Sequence, residues 1–482
     1  MLYIAVARCI TPVVKHKLGI LLPGWFCNVT YVTRTLCFLR NVFLCASHMK
    51  KSCGAGLCCR IEYWGLFYST AFGLDITALS MAQVCRSAGE ALWGMCIGDA
   101  MSMPVHWYYN VSDIKKDFGG WISGYQAPKN THPSSILTLS NSAGSGRTAH
   151  PNSSRPPVVG NIILHNKLKY WKEPEGSVHY HQGMQAGDST LNAQCALKAA
   201  QTLREGQFRS VSEEGARAAV LSNYVQFMTT PGTHSDTYAE SFHRSFFADW
   251  QEQQPTSPSK ILEFAVQRYR QKMNMSFPDS QLDAIGCLPM AIPFVLQSAT
   301  ANKEEAVTAA VEFVRLTHPH PQLDKYVSLY AEVLHSTLNG ACLRQQAEAA
   351  LRSPVLDTWQ TCLPYMERVA GFPKPSEEKL KVHQSAVASL GLACYTKGAL
   401  SSLFYLAHEY YDDFEGGVLT NTNCGGENCN RGAALGALLG AAAAHQGRAI
   451  PQAWKHGLVG THSLVTQLLE DGLSPPQPAQ MD

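Results

Sequence analysis

Asn421 to Ala444 reads NTNCGGENCNRGAALGALLGAAAA, and no other segment restricts the fold as tightly. A polar loop with paired glycines runs straight into a helix of Gly and Ala. That helix has almost no side-chain bulk, so it is stable only when packed closely on several sides. Gly425 and Gly426 let the backbone approach a ligand or ion. Glu427, Asn428, Cys429 and Asn430 fall at the helix start, where unpaired N–H groups favour anions. A buried helix fed by a polar loop is a rigid mount for an active-site group.

The rest of the chain reads as helix. Ala82 to Met101 carries small and apolar residues at helical spacing, and Pro104 ends or bends that helix. An irregular Ser/Pro/Gly/Asn-rich stretch follows, from Asp117 to about Asn166, either covering a site or inserted on the surface. A second helix is expected to start near Asp188. Further helical patterns cover Ser212–Met228, Asp236–Gln251, Pro258–Lys272, Leu282–Ser298, Lys303–Thr317, Gln322–Thr337 and Leu343–Leu351. They continue over Gln384–Thr396, Ala399–His408, Asn430–Gln446 and Gly460–Asp471. Strand-like alternation is confined to short candidates such as Val158–Leu164. The pattern predicts one all-α domain over residues 82–472.

Charge and cysteine set residues 1–81 apart. The first 60 residues hold eight Lys or Arg, no Asp or Glu, and seven of the 16 cysteines. This segment reads as an extension foreign to the fold, and residues 473–482 as a disordered tail. The other nine cysteines lack zinc-ligand spacing and read as free thiols of a reducing compartment, cytoplasmic or, given the acid-free N-terminus, mitochondrial. A net charge of +2 gives no argument for nucleic acid, and no run is long and apolar enough to span a membrane. A monomer is expected.

Four segments carry chemistry. In GMCIGDAMSMPVHW (Gly94 to Trp107), Asp99 lies within a helix of small residues, as a cap or network member unless it is a catalyst. His106 lies just past the helix-ending Pro104. In HYHQGMQAGDSTLNAQ (His179 to Gln194), Gly187-Asp188-Ser189-Thr190 reads as a helix start, with Asp188 or Ser189 as its cap. The same residues offer hard oxygen ligands within one turn. Glu427, Cys429 and Asn430 offer a second polar helix N-terminus. In LTHPHPQ (Leu316 to Gln322), His318 and His320 have a spacing that suits a metal, but a helix end followed by prolines explains the segment already.

Taken in order, these blocks resemble the ADP-ribosylglycohydrolase family, the all-α hydrolases that include the dinitrogenase-reductase-activating enzyme and jellyfish lens crystallins. GDAMSMPVH (Gly98 to His106) is similar to the family's first motif, and Gly187 to Thr190 to its Thr/Ser-Asp-Asp-Thr. Leu316 to Pro319 matches its LTHP, and Gly425 to Asn430 its GGDTDT. Ile450, Pro451 and Trp454 match its trailing block. The resemblance implies an orthogonal multi-helix bundle. It also implies a pair of Mg²⁺ ions that orient the ribose of an ADP-ribosyl group and a water for cleavage of an N- or O-glycosidic bond.

The chain departs from the family at the ligands. Gly187 replaces Thr/Ser, Ser189 replaces the second Asp, and Glu427, Cys429 and Asn430 replace Asp, Asp and Thr. His106 stands where Glu is expected, and DAIGCLP (Asp283 to Pro289) lacks the Arg of the diphosphate loop. Four carboxylates fall to two. The resemblance then implies Asp188 and Glu427 as catalytic residues, with Asp188, Ser189, Glu427 and Asn430 holding one Mg²⁺. His106, Gly425, Gly426 and Asn428 would line the substrate. Including His106 or Cys429 would favour Mn²⁺ or Zn²⁺, or leave no metal at all. The implied partner is an ADP-ribosylated protein or a small ADP-ribosyl conjugate. Two rival functions stay open: an inactive ligand-binding or crystallin-like relative, and a hydrolase of a substrate without diphosphate.

Overall fold

A computed structural model describes residues 76–147, 156–172, 177–206, 208, 210–373 and 376–470. The chain divides into Met1–Ile76 and Thr77–Asp482. The foreign extension expected up to residue 81 lies, apart from its last six residues, outside the described residues, and so does the tail expected at 473–482. Among the described residues all regular structure is helical, and β pairing is limited to isolated bridges.

The elements that position the site are helices α1 (Ile76–Ser102), α2 (Leu191–Glu205), α3 (Ser241–Trp250), α4 (Cys287–Gln297), α5 (Leu323–Leu338), α6 (Thr396–Glu409), α7 (Phe414–Asn423) and α8 (Asn428–His445). The Gly/Ala helix α8 is the hub. It packs against α2, α4, α5, α6 and α7, and every residue from Asn428 to Ala444 is buried. Helix α4, CLPMAIPFVLQ, is likewise apolar all round and buried along its whole length, as a helix in the interior of a bundle must be. Cross-links reach α8 through its carbonyls: Tyr330 Oη of α5 donates to Ala434 O at 2.9 Å, and Ser87 Oγ of α1 donates to Ala441 O at 3.0 Å.

The small residues of α8 answer those of α1. A Cβ on Gly94 would lie 2.0 Å from Gly436 O, and one on Gly98 2.0 Å from Gly432 O. In the reverse direction, a Cβ on Gly436 would lie 2.0 Å from Gly94 O. Glycines four apart on each helix therefore form one stripe, and the two backbones touch along it. This crossing brings the end of α1 and the following Met103–Val105 turn against the N-terminus of α8, where Glu427 and His106 sit.

Several elements differ from the expectations. Val158–Asn161 is an irregular turn rather than a strand: it closes with helix-like hydrogen bonding, but Val159 (ψ 122°) and Gly160 (φ 96°) lie outside the helical region. Helix α3 begins only at Ser241, since Asp236 to Glu240 run extended with Asp236 engaged elsewhere. Helix α2 begins at Leu191 with Thr190 as N-cap. The Asn-rich run before the glycines is the end of helix α7, not a loop. Trp359–Ala370 is a further helix that the periodicity did not reveal.

The glycine crossing makes a direct prediction. Gly436→Ala places a methyl against backbone that cannot rotate away, and an overpacked core costs about 1–3 kcal/mol. Denaturant unfolding should show a loss near the top of that range. Gly120→Ala, with no atom within 4 Å of the new Cβ, should change stability by less than about 0.5 kcal/mol. Equal effects in the two variants would refute the close crossing.

Candidate functional site

The polar loop before α8 is held by its own side chains. Asn421 Oδ1 accepts from Arg431 Nε at 2.7 Å, and Asn421 Nδ2 donates to Asn428 O at 2.9 Å. Arg431, fully buried, also donates to Gly425 O at 2.9 Å. Asn423 clamps the backbone of Ile122, accepting from its N–H and donating to its carbonyl, each at 2.8 Å. Gly425 and Gly426 have φ 66° and 64°, and their close neighbours are Tyr108 O and Leu392 O. The paired glycines thus admit this protein's own backbone: Gly426 N donates to Tyr108 O, Trp107 N to Gly426 O, and Glu427 N to Leu392 O. Asn428 Nδ2 donates to Thr422 O and Val105 O.

That scaffold presents Glu427 as the N-cap of α8, with Oε1 accepting from Asn430 N and, at 2.9 Å, from Asn430 Nδ2. His106 Nε2 lies 3.1 Å from the same oxygen. His106 Nδ1 lies 2.8 Å from His181 Nε2, and His181 Nδ1 donates to Asp236 Oδ1 at 2.8 Å. All four side chains are buried. The line Asp236–His181–His106–Glu427 contains three hydrogen bonds, and each needs one proton. Two neutral imidazoles supply two, and with both carboxylates ionised these satisfy the two outer bonds, leaving the His106 Nδ1–His181 Nε2 contact without a proton of its own.

A second branch leaves Asn430. Its Nδ2 also donates to Glu240 Oε1, and its Oδ1 accepts from Asn192 Nδ2 at 3.0 Å. Asn192 Oδ1 lies 2.9 Å from His243 Nε2, and Tyr224 Oη 2.7 Å from His243 Nδ1. The N-termini of α2 and α8 therefore meet, through Asn192 and Asn430.

Asp188, the early carboxylate singled out in the sequence, is half-buried and accepts from Gln185 N at 2.8 Å within its own turn. Ser189 Oγ pairs with Thr461 Oγ1 at 3.1 Å. Glycine at 187 has a local cause: φ is 87°, and a Cβ there would lie 2.0 Å from Gly457 O. Asp99 acts as a cap, accepting from Thr190 N at 2.7 Å and Thr190 Oγ1 at 2.6 Å. His318 is buried against Phe242, closing its helix.

The expected site omitted His181, Asp236, Glu240 and Asn192. His181 lies in HYHQGM and Asp236 and Glu240 in THSDTYAES, two His- and acid-bearing stretches, the second read as helix from Asp236 on, while Asn192 follows the Gly187–Thr190 helix start. Trp107 adds a strained backbone, at φ 64°, with its ring stacked 3.8 Å from that of His106. A bulky side chain in this region costs about 1–3 kcal/mol and marks places where position matters more than comfort.

Burial and charge divide the carboxylates. Burial works against the ionisation of Glu427, but His106, the Asn430 N–H and Arg431 hold it below the usual range. Burial, reinforced by the charge of Glu427, pushes Glu240 up to about 8. Burial also opposes ionisation of Asp236, yet His181 and two backbone N–H groups keep it low. Burial depresses His106 despite Glu427 beside it. Desolvation, then the charges of Asp99 and Glu427, push the Cys429 thiol up.

The fold is thus an all-α bundle with a buried polar centre at the N-terminus of its central helix. The sequence profile of ADP-ribosylglycohydrolases matches residues 82–477, and the chain belongs to that family. Among solved structures, an ADP-ribosylglycohydrolase-related protein complex is similar at 16% identity and TM-score 0.41, over 81% of this chain and 98% of its own. No curated protein matches. The donors gathered at the centre do not suit the Mg²⁺ that the family implies. Asp188 and Ser189 are engaged locally, and the groups beside Glu427 are imidazoles and a thiol.

The histidines make acid stability a test of the site's cover. His132 Nε2 donates to His106 O at 2.8 Å while its Nδ1 accepts from Ser134 N, and burial lowers its pKa to about 4. The folded value lies below the unfolded one, so the unfolded chain binds more protons in between. Stability should be complete above about pH 6.5 and fall as pH drops toward 4. Thermal melts of His132→Asn should show a shallower decline in that window; an unchanged slope would mean that His132 is not held neutral here.

Proposed function

We propose that the chain hydrolyses a ribosyl N- or O-glycosidic bond, with Glu240 as general acid and Glu427 as general base. The observation that supports this reading is the single amide of Asn430, which donates to both carboxylates while their surroundings drive them apart. Glu240, pushed up to about 8, keeps its proton at neutral pH; Glu427 stays ionised. Two carboxyl groups in opposite protonation states are what glycoside cleavage requires, one to protonate the leaving group and one to activate water. His106, backed by His181 and Asp236, holds Glu427 and passes charge away from it. Asp188 is a third carboxylate of this neighbourhood: burial, and then the charge of Asp236, oppose its ionisation.

Family membership points to an ADP-ribosyl conjugate as substrate. Tyr109 and Tyr395, exposed aromatic rings, flank the buried Glu427, whose charge acts on Tyr109. They are a suitable platform for a sugar or base at the mouth of the site. One observation favours a second reading, a non-catalytic binder or crystallin-like relative: Glu427, His106 and the glycine loop are packed against protein.

Release of ADP-ribose from modified peptides and small conjugates separates the two. Glu240→Gln and Glu427→Gln should each reduce kcat/KM by about 100-fold or more. In the parent chain kcat/KM should fall as pH rises through about 8, where Glu240 loses its proton, and Glu240→Gln should lack that limb. A folded parent chain with no turnover on any conjugate would support the binder.

A further inference from the structure

We propose that His106 Nδ1, His181 Nε2 and Cys429 Sγ form a binding site for one borderline-to-soft transition-metal ion of the zinc class. The three side chains offer ligand atoms that all lie within 4.8 Å of one another, and all are buried. They come from three separate segments: the turn after α1, the loop before α2 and the first turn of α8.

The surroundings of each ligand supply a second, independent argument. A histidine that binds a metal through one nitrogen usually gives its other N–H to a carboxylate, which fixes ring and tautomer. Both histidines meet that condition. His181 Nδ1 is on Asp236 at 2.8 Å, and His106 Nε2 is on Glu427 at 3.1 Å. The two nitrogens left over, 2.8 Å apart, face each other. The sulfur of Cys429 packs with Met103 and Met184, a soft and polarisable environment.

In a tetrahedral zinc site with N and S bonds of about 2.0–2.3 Å, ligand atoms stand roughly 3.3–3.6 Å apart. The two nitrogens must therefore open by about half an ångström, well within the reach of side-chain rotation. The ion enters between two nitrogens whose N–H groups point the other way, to the carboxylates. Proton balance follows: the thiol gives up one proton, while the two outer N–H groups stay on their carboxylates. Mg²⁺ gains nothing from thiolate and imidazole, so it should not compete.

This assignment stands apart from turnover, so its test is metal binding in the full chain. Seven cysteines in the first 60 residues can also take up zinc, so the readout is the difference between the parent chain and Cys429→Ser. After chelator treatment, calorimetric titration should show one equivalent more Zn²⁺ bound by the parent than by the variant, with about one proton, that of the thiol, released at that site. With Co²⁺, a thiolate-to-cobalt charge-transfer band should appear in the parent and be weaker by one site in Cys429→Ser. Asp236→Asn, which leaves all three ligands in place, should weaken that site by about 10–100-fold. If Cys429→Ser fails to fold by circular dichroism, His181→Gln replaces it in the same comparison. Equal stoichiometry and equal cobalt spectra in parent and variant would overturn the site. So would millimolar Mg²⁺ displacing the ion.

Discussion

The close crossing of α1 and α8 is the contact on which the rest of this structure depends. Two glycine stripes bring main chain against main chain, so the helices have no side-chain spacer to absorb error. The end of α1 therefore fixes the position of the Met103–Val105 turn relative to the N-cap of α8, and His106 and Glu427 inherit that precision. Around the crossing, Arg431, Asn421 and Asn423 saturate the carbonyls and N–H groups that an irregular buried loop would otherwise leave bare. A buried loop of this kind survives only with such complete pairing.

Much of the fold was legible. A helix without bulk predicts close neighbours, and the all-α reading followed from period alone. The errors lie where polar groups work outside regular structure. Asp236 and Glu240 have helical spacing from each other and from α3, yet both are drawn into the site, and the chain stays extended to deliver them. Asn421 to Asn423 look like loop residues by composition. They lie in the last turn of a helix, with their amides engaged by Arg431, Ser102, Asn428, Ile122 and the helix's own Leu419 carbonyl. From the early segment His181 and Asn192 reach the Glu427–Asn430 network, while Asp188 accepts within its own turn. Nothing in a one-dimensional reading says which polar side chain at a helix start points inward.

The substitutions that set the chain apart from its relatives are physically connected. Glycine at 187 is demanded by a left-handed turn against Gly457, which removes a hydroxyl from the family's early ligand motif. Cysteine at 429 faces methionines, and His106 stands in place of a carboxylate, with a second histidine behind it. Each change alone weakens an oxygen site. Together they set nitrogen and sulfur around one point, a donor set that favours a softer ion over Mg²⁺.

The carboxylates that remain have moved one step outward. Glu427 and Asp236 accept protons from the imidazoles, and Glu240 is held protonated by burial and by its charged neighbour. In such a centre the Glu427–Asn430–Glu240 bridge would connect the proposed ion to the acid. Filling the position between His106 and His181 would add positive charge near Glu427. That should hold Glu427 ionised still more firmly and lessen its pressure on Glu240, so the state of the imidazole pair tunes the acid several bonds away. The geometry that makes the site soft is thus the same geometry that connects it to the carboxyl pair.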